Sequence, residues 1–152
     1  MNRKSCLLII VCNVLCMVLI SCKARSSAHY LLKSGFVGWV RIDFNVAGAT
    51  PLVRESGVYI VRVDSTGHAS TSSNPIDLLA EHRFFLREKE RDTELQENKF
   101  WDGRTEFKET AAEAEPRIWG RGIVIDEHKR VYERFFVGTK EQFADSIRDW
   151  TR

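Results

Sequence analysis

Beyond residue 22 the chain has no cysteine: all four lie at positions 6, 12, 16 and 22. The remaining residues therefore form neither a disulfide framework nor a thiolate metal cage, and they offer no C-x-x-C pair for thiol redox chemistry. An excess of one charge is missing too, since 23 Lys and Arg face 21 Asp and Glu for a net +2. That is too little to hold a polyanion, so nucleic acid is not an expected partner. Three prolines and nine glycines exclude collagen-like and low-complexity chains. At 152 residues the length suits one domain, and no repeat of 20–50 residues divides it.

Catalytic fingerprints are also lacking. There is no G-x-S-x-G elbow, no P-loop, no dinucleotide-binding glycine run and no H-E-x-x-H. His29, His68, His82 and His128 are scattered, without an i, i+4 pair. Asp126-Glu127-His128 offers an acid beside an imidazole, but its place at a predicted hairpin tip reads as a solvated turn. Glu109, Glu113 and Glu115 lack the Asp-rich loop and glycine of a calcium site and read as a solvated face. No cofactor, no metal and no catalytic residue is expected, and the chain is read as a non-enzyme.

What the chain does have begins at its start. Asn2-Arg3-Lys4 is followed by a run from Cys6 to Ile20 that only Asn13 interrupts. A positive start and a short apolar core make a secretory signal. The run is shorter than the about 20 residues that span a bilayer. It ends in Leu19-Ile20-Ser21-Cys22, which resembles the lipobox of bacterial lipoproteins. The resemblance implies cleavage before Cys22 and a diacylglycerol on its sulfur. Lys23, rather than Asp, after that cysteine implies the outer membrane, facing the periplasm or the cell surface, in a Gram-negative source. Cleavage removes 21 residues, leaves 131, and takes Arg3 and Lys4 but no acid, so 21 basic residues then face 21 acidic ones. The expected organisation is a signal peptide at 1–21, a lipidated tether at 22–29 and one domain at 30–152.

The domain reads as mainly β. Phe36, Gly38, Val40, Ile42, Phe44 and Val46 alternate with Val37, Trp39, Arg41, Asp43 and Asn45, as in a half-buried strand. Gly57 to Val63 is apolar on both faces until Arg62, which predicts a central strand covered on both sides. Asp64-Ser65-Thr66-Gly67 is a turn, and His68 to Ser73 a short strand. Residues 81–100 fit either a helix or a charged hairpin, and the β-like flanks favour the hairpin. Thr105 to Lys108 suits a further short strand, and Thr110 to Glu115 a short helical piece ended by Pro116. Ile123 to Val137 predicts an antiparallel hairpin. Thr139 and Gln142 form a capping box, and Phe143, Ile147 and Trp150 make one apolar helical stripe. The expected fold is an antiparallel, sandwich-like domain, prealbumin- or immunoglobulin-like in general form, with a C-terminal α-helix.

For recognition, aromatic and arginine residues in glycine-flanked loops are the first place to look. Trp101, Asp102, Arg104, Trp119 and Arg121 are the candidate binding surface, and buried structural Trp is the alternative. Gly35 to Phe44, Pro51-Leu52, Gly57-Val58-Tyr59, Thr71-Ser72-Ser73 and Phe135 to Thr139 resemble a family of small bacterial lipoprotein domains with no established activity. The resemblance covers most of Tyr30 to Phe143 and transfers no catalytic residue. The expectation is a membrane-anchored binding or structural domain with an envelope protein as possible partner. An inhibitor or immunity lipoprotein, and a hydrolase with a site assembled from loops, are the alternatives.

Overall fold

The computed structural model describes residues 26–89, 91–98 and 114–148. Two mixed sheets pack face to face. In the first, β1 (Ser27–Lys33) is central and parallel to both β4 (Val58–Arg62) and β6 (Glu81–Glu88). Antiparallel β3 (Val53–Glu55) and β7 (Arg91–Leu95) close its two edges. The second sheet runs β5 (His68–Ser70), β2 (Gly38–Asp43), β9 (Val131–Gly138), β8 (Arg117–Ile125). Helix α1 (Lys140–Arg148) follows β9.

The mainly β, sandwich-like fold with a C-terminal helix matches the sequence expectation, but strand direction differs from it. β2 is parallel to β5, as β1 is to β4 and β6. The cause is connectivity. The chain passes from β1 in one sheet to β2 in the other, then returns to β3 and β4. A parallel pair needs a long crossover connection, and each excursion through the other sheet supplies one.

The core lies between the sheets, where Tyr30, Leu32, Val61 and Phe84 meet Val40, Ile42, Phe135 and Val137. Phe84 and Phe135 touch edge to face at 5.1 Å. β1 starts at Ser27, so the last three residues of the expected tether already belong to the sheet, with Ala28 fully buried. β4 lies second from an edge rather than covered on both faces: Val61 is buried but Val58, Tyr59 and Ile60 are only half so.

β6 and β7 pair antiparallel as the expected hairpin, with Phe84 opposite Leu95 and Glu88 opposite Arg91. The mixed charges of this stretch are cross-strand partners. Arg83 grips Glu94 and Arg87 grips Asp92, each through two hydrogen bonds of 2.6–2.9 Å. Gly67 ends the Asp64 turn at φ 86°, and a Cβ there would lie 2.5 Å from the Trp39 carbonyl oxygen, so the turn requires glycine.

The capping box forms as expected: Gln142 Oε1 accepts the Thr139 N–H at 2.9 Å, and Thr139 Oγ1 the Gln142 N–H at 3.3 Å. Of the apolar stripe, Phe143 is buried, Ile147 is 43% exposed, and Trp150 lies outside the described residues. Thr105 to Lys108 also lies outside them. So does most of the expected helical piece from Thr110, of which Ala114 and Glu115 are turn and bend. Phe143 covers Trp39, Trp119 and Phe136 on the outer face of the second sheet. This second layer explains why Phe135 to Gly138 are all buried: one face of β9 meets the sandwich core and the other meets α1.

Candidate functional site

Cys22, Trp101, Asp102 and Arg104 lie outside the described residues. Trp119 and Arg121, expected together in a glycine-flanked loop, are in strand β8 instead and face opposite ways. Gly120, at φ 59°, lets β8 take an extra residue, and the register with β9 shifts between Trp119 and Gly122. This is a β-bulge, which re-aims the side chains on either side of it. Trp119 points outward under the helix, is only 4% exposed, stacks on Phe143 at 5.6 Å and donates from Nε1 to the Gly138 carbonyl at 2.7 Å. It is a packing residue, not a recognition residue. Arg121 points inward.

There Arg121 organises a network between the sheets. Its Nε donates to Glu97 at 2.6 Å and its Nη1 to Glu133 at 3.0 Å. Glu133 is 2% exposed and accepts a second bond from the Tyr30 hydroxyl at 2.8 Å. The Tyr30 oxygen also lies 2.9 Å from His82 Nδ1, while His82 Nε2 lies 3.0 Å from the Asp77 carbonyl. Burial above all, and then Glu133, pushes the Tyr30 phenol well above its ordinary value. Burial, and then the Arg121 charge, pushes the His82 imidazole down. A carbonyl only accepts, so Nε2 carries a hydrogen. A neutral His82 then leaves its Nδ1 and Glu133 competing for the single phenolic hydrogen.

The outer face of the second sheet presents a different cluster, beyond the part that α1 covers. Arg41 and Asp43 project from β2, His68 and Ser70 from β5, and Tyr132 and Arg134 from β9, at facing register positions. Arg41 Nη2 donates to Asp43 Oδ1 at 2.7 Å, and His68 Nε2 lies 2.7 Å from Asp43 Oδ2. Burial raises the Asp43 carboxyl, but the bonds from Arg41 and His68 outweigh it and hold the group below its ordinary value. The Arg41 guanidinium rests 3.9 Å above the Tyr132 ring. Arg41, Asp43, Asn45, His68, Lys129 and Arg130 line an open cleft of about 600 Å³. A ligand in it would meet guanidinium, imidazole and carboxylate groups without the sandwich opening. This is the candidate functional site.

Sequence reading missed both clusters. Glu133 had a visible signal: it is the one charge in the inward series Val131, Glu133, Phe135 and Val137. His68 and Asp43 had none, being 25 residues apart and joined only by the β2–β5 pairing. Asp126-Glu127-His128 is a turn as expected, its loop held by Asp126 Oδ1 on the His128 and Arg130 amides. Among the described residues no group of three potential ligands could hold a metal, and no helix is long and apolar enough to cross a membrane.

A family model with the description "Family of unknown function (DUF6843)" matches residues 24–119. The match stops before β9 and α1, and so before Glu133. A crystal structure named "Putative Lipoprotein from Bacillus anthracis" has a similar fold: TM-score 0.51, 16% identity, over 76% of this chain and 71% of its own. At that identity the likeness speaks for the fold alone. No curated protein matches the chain.

Proposed function

The chain belongs to this family of unknown function (DUF6843), and because membership assigns no chemistry, we propose from its own residues that it is a lipid-anchored envelope protein whose β domain acts by binding. The observation that carries the anchor is Leu19-Ile20-Ser21-Cys22 at the end of a charged and then apolar leader. One acyl chain holds a protein only marginally, whereas two or more on one cysteine hold it firmly. Lys23 favours the outer membrane if the source has one. The binding reading draws on the open cleft between Arg41, His68 and Arg130, where polar groups converge on an accessible face. A protein partner in the envelope, including an enzyme that this domain would inhibit, fits a site of that kind.

Metabolic labelling with a radioactive fatty acid tests the anchor. Label is expected in the wild type and not in Cys22→Ser, which should leave the membrane fraction. Attachment that survives Cys22→Ser without label overturns the reading. Crosslinking in intact cells tests the binding face, with Arg41→Glu expected to lose the partner.

A second reading is an envelope hydrolase, and it draws on the His68–Asp43 pair at 2.7 Å beside Ser70. A carboxylate that orients an imidazole is the arrangement general-base chemistry uses. Turnover of any ester or glycan substrate that His68→Ala abolishes would favour it over binding.

A further inference from the structure

At the end of the first sheet where the chain enters, one turn holds two leucines in solvent. Leu78 is 52% exposed and Leu79 is 83%. The turn itself is well fixed. Asp77 Oδ1 accepts the Leu79 N–H at 2.9 Å, the Asp77 carbonyl accepts the Ala80 N–H at 2.9 Å, and His82 Nε2 lies 3.0 Å from the same oxygen. A rigid frame that displays neighbouring apolar side chains needs an explanation, since exposure of both brings no gain in water.

Strand direction supplies one. β1 and β6 are parallel with Ser27 level with Glu81, and the Glu81 N–H donates to the Ser26 carbonyl at 3.1 Å. The leucine turn therefore stands beside the point where the chain departs towards Cys22. From Ser26 to Cys22 is four residues, a reach of at most about 14 Å. Lipid on Cys22 would bring this end of the sandwich to the headgroup layer. The Asp64–Gly67 turn follows β4, which is parallel to β1, and so lies at the far end and carries only polar residues and glycine. Lys23 and Arg25, in the connecting stretch, suit lipid phosphates.

We propose that the Asp77–Ala80 turn is a membrane contact, and that Leu78 and Leu79 enter the lipid interface when the domain is tethered through Cys22. The proposal rests on the anchor reading above. A tether alone lets the domain tumble, whereas a tether with an apolar contact beside it sets one end down. β1, β4 and β6 then stand away from the surface, and the orientation of the candidate cleft is fixed rather than free.

The test uses the full chain, processed in cells and reconstituted in phosphatidylcholine–phosphatidylglycerol vesicles, with Leu79→Cys carrying an environment-sensitive nitrobenzoxadiazole. The sulfur of Cys22 is blocked by lipid and the other cysteines leave with the leader, so the label has one site. Spin-labelled lipid is expected to cut emission about twofold at position 79 and to leave a label at Ser65→Cys nearly unchanged. In unlabelled protein, hydrogen exchange across residues 77–81 should slow on vesicles, which excludes an effect of the dye. Equal quenching at 79 and 65, with unaltered exchange, overturns the proposal. Intact mass separates the two possible failures. A lipid-bearing protein with a water-like label at 79 sinks the membrane contact alone. A protein without lipid sinks the anchor reading, and the contact with it.

Discussion

Between the sheets and on the open outer face, the same three kinds of side chain meet: a histidine, an arginine and a carboxylate. His82, Arg121 and Glu133 do so in the interior, with Tyr30 and Glu97. His68, Arg41 and Asp43 do so on the surface. Bond lengths barely differ, but surroundings do. The Arg121 and Glu133 side chains are 11% and 2% exposed, against 41% for Arg41 and 46% for His68. His82, Glu97 and Arg121 line a cleft at the sheet margin, but water cannot replace a lost partner at the buried Tyr30 and Glu133, which depend on the groups around them. Outside, water can replace it, so the cluster is free to exchange partners with a ligand. Similar chemistry thus serves architecture in one place and is available for recognition in the other.

The sharpest way to break this contrast is Arg121→Met. It leaves Glu133 buried without its ion-pair partner and is expected to cost about 3–5 kcal/mol, read from urea unfolding. A loss as small as that of a surface pair would remove the distinction drawn here. Next comes Tyr30→Phe, which keeps the stack on Phe84 at 4.7 Å but deletes the hydroxyl that Glu133 and His82 share. A loss of about 1–3 kcal/mol is expected, as for a buried partner left unsatisfied.

The acid response should also come from the interior cluster. Burial and Arg121 lower the His82 pKa in the folded protein from its ordinary 6.5. As pH falls through 6.5 the unfolded chain takes up the proton first. Stability from this group is therefore complete above that value and declines below it, levelling off once folded His82 also protonates. His82→Gln should flatten the dependence of the urea midpoint between pH 7.5 and 5.5; an unaltered slope would place the titration elsewhere. The smallest effect belongs to the surface. His68→Ala should change stability by less than about 1 kcal/mol, while still altering any ligand bound in the cleft.

Much of the fold was legible because it was local. The Thr139 capping box, the Asp64 and Asp126 turns, the 123–137 hairpin and the inward series of β2 depend on neighbours within a few residues. The 81–95 hairpin was legible in part: its charges looked like a helix surface until register showed Arg83 and Arg87 pairing across the strands. The candidate site was not legible, since only the β2–β5 pairing brings His68 to Asp43, and the interior network was hardly more so. Gly120-Arg121-Gly122 carries the same letters whether it is a loop or a bulge, and only the register with β9 shows that Arg121 turns inward. Trp119 was a recognition residue by type and a packing residue by place, because α1 lies over it.

By itself the sequence determined that the residues beyond 22 fold without disulfides or a thiolate metal site, and that the domain is mainly β with a capped helix near its C-terminal end. These follow from residue types and from periods of two or 3.6 residues, which are properties of short stretches. Tertiary structure alone decided that the sheets are mixed, that Glu133 is shielded while Asp43 meets solvent, and that Leu78 and Leu79 stand beside the chain's entry point. Each of these depends on which distant strand lies alongside and in which direction, and side-chain alternation is the same for either direction.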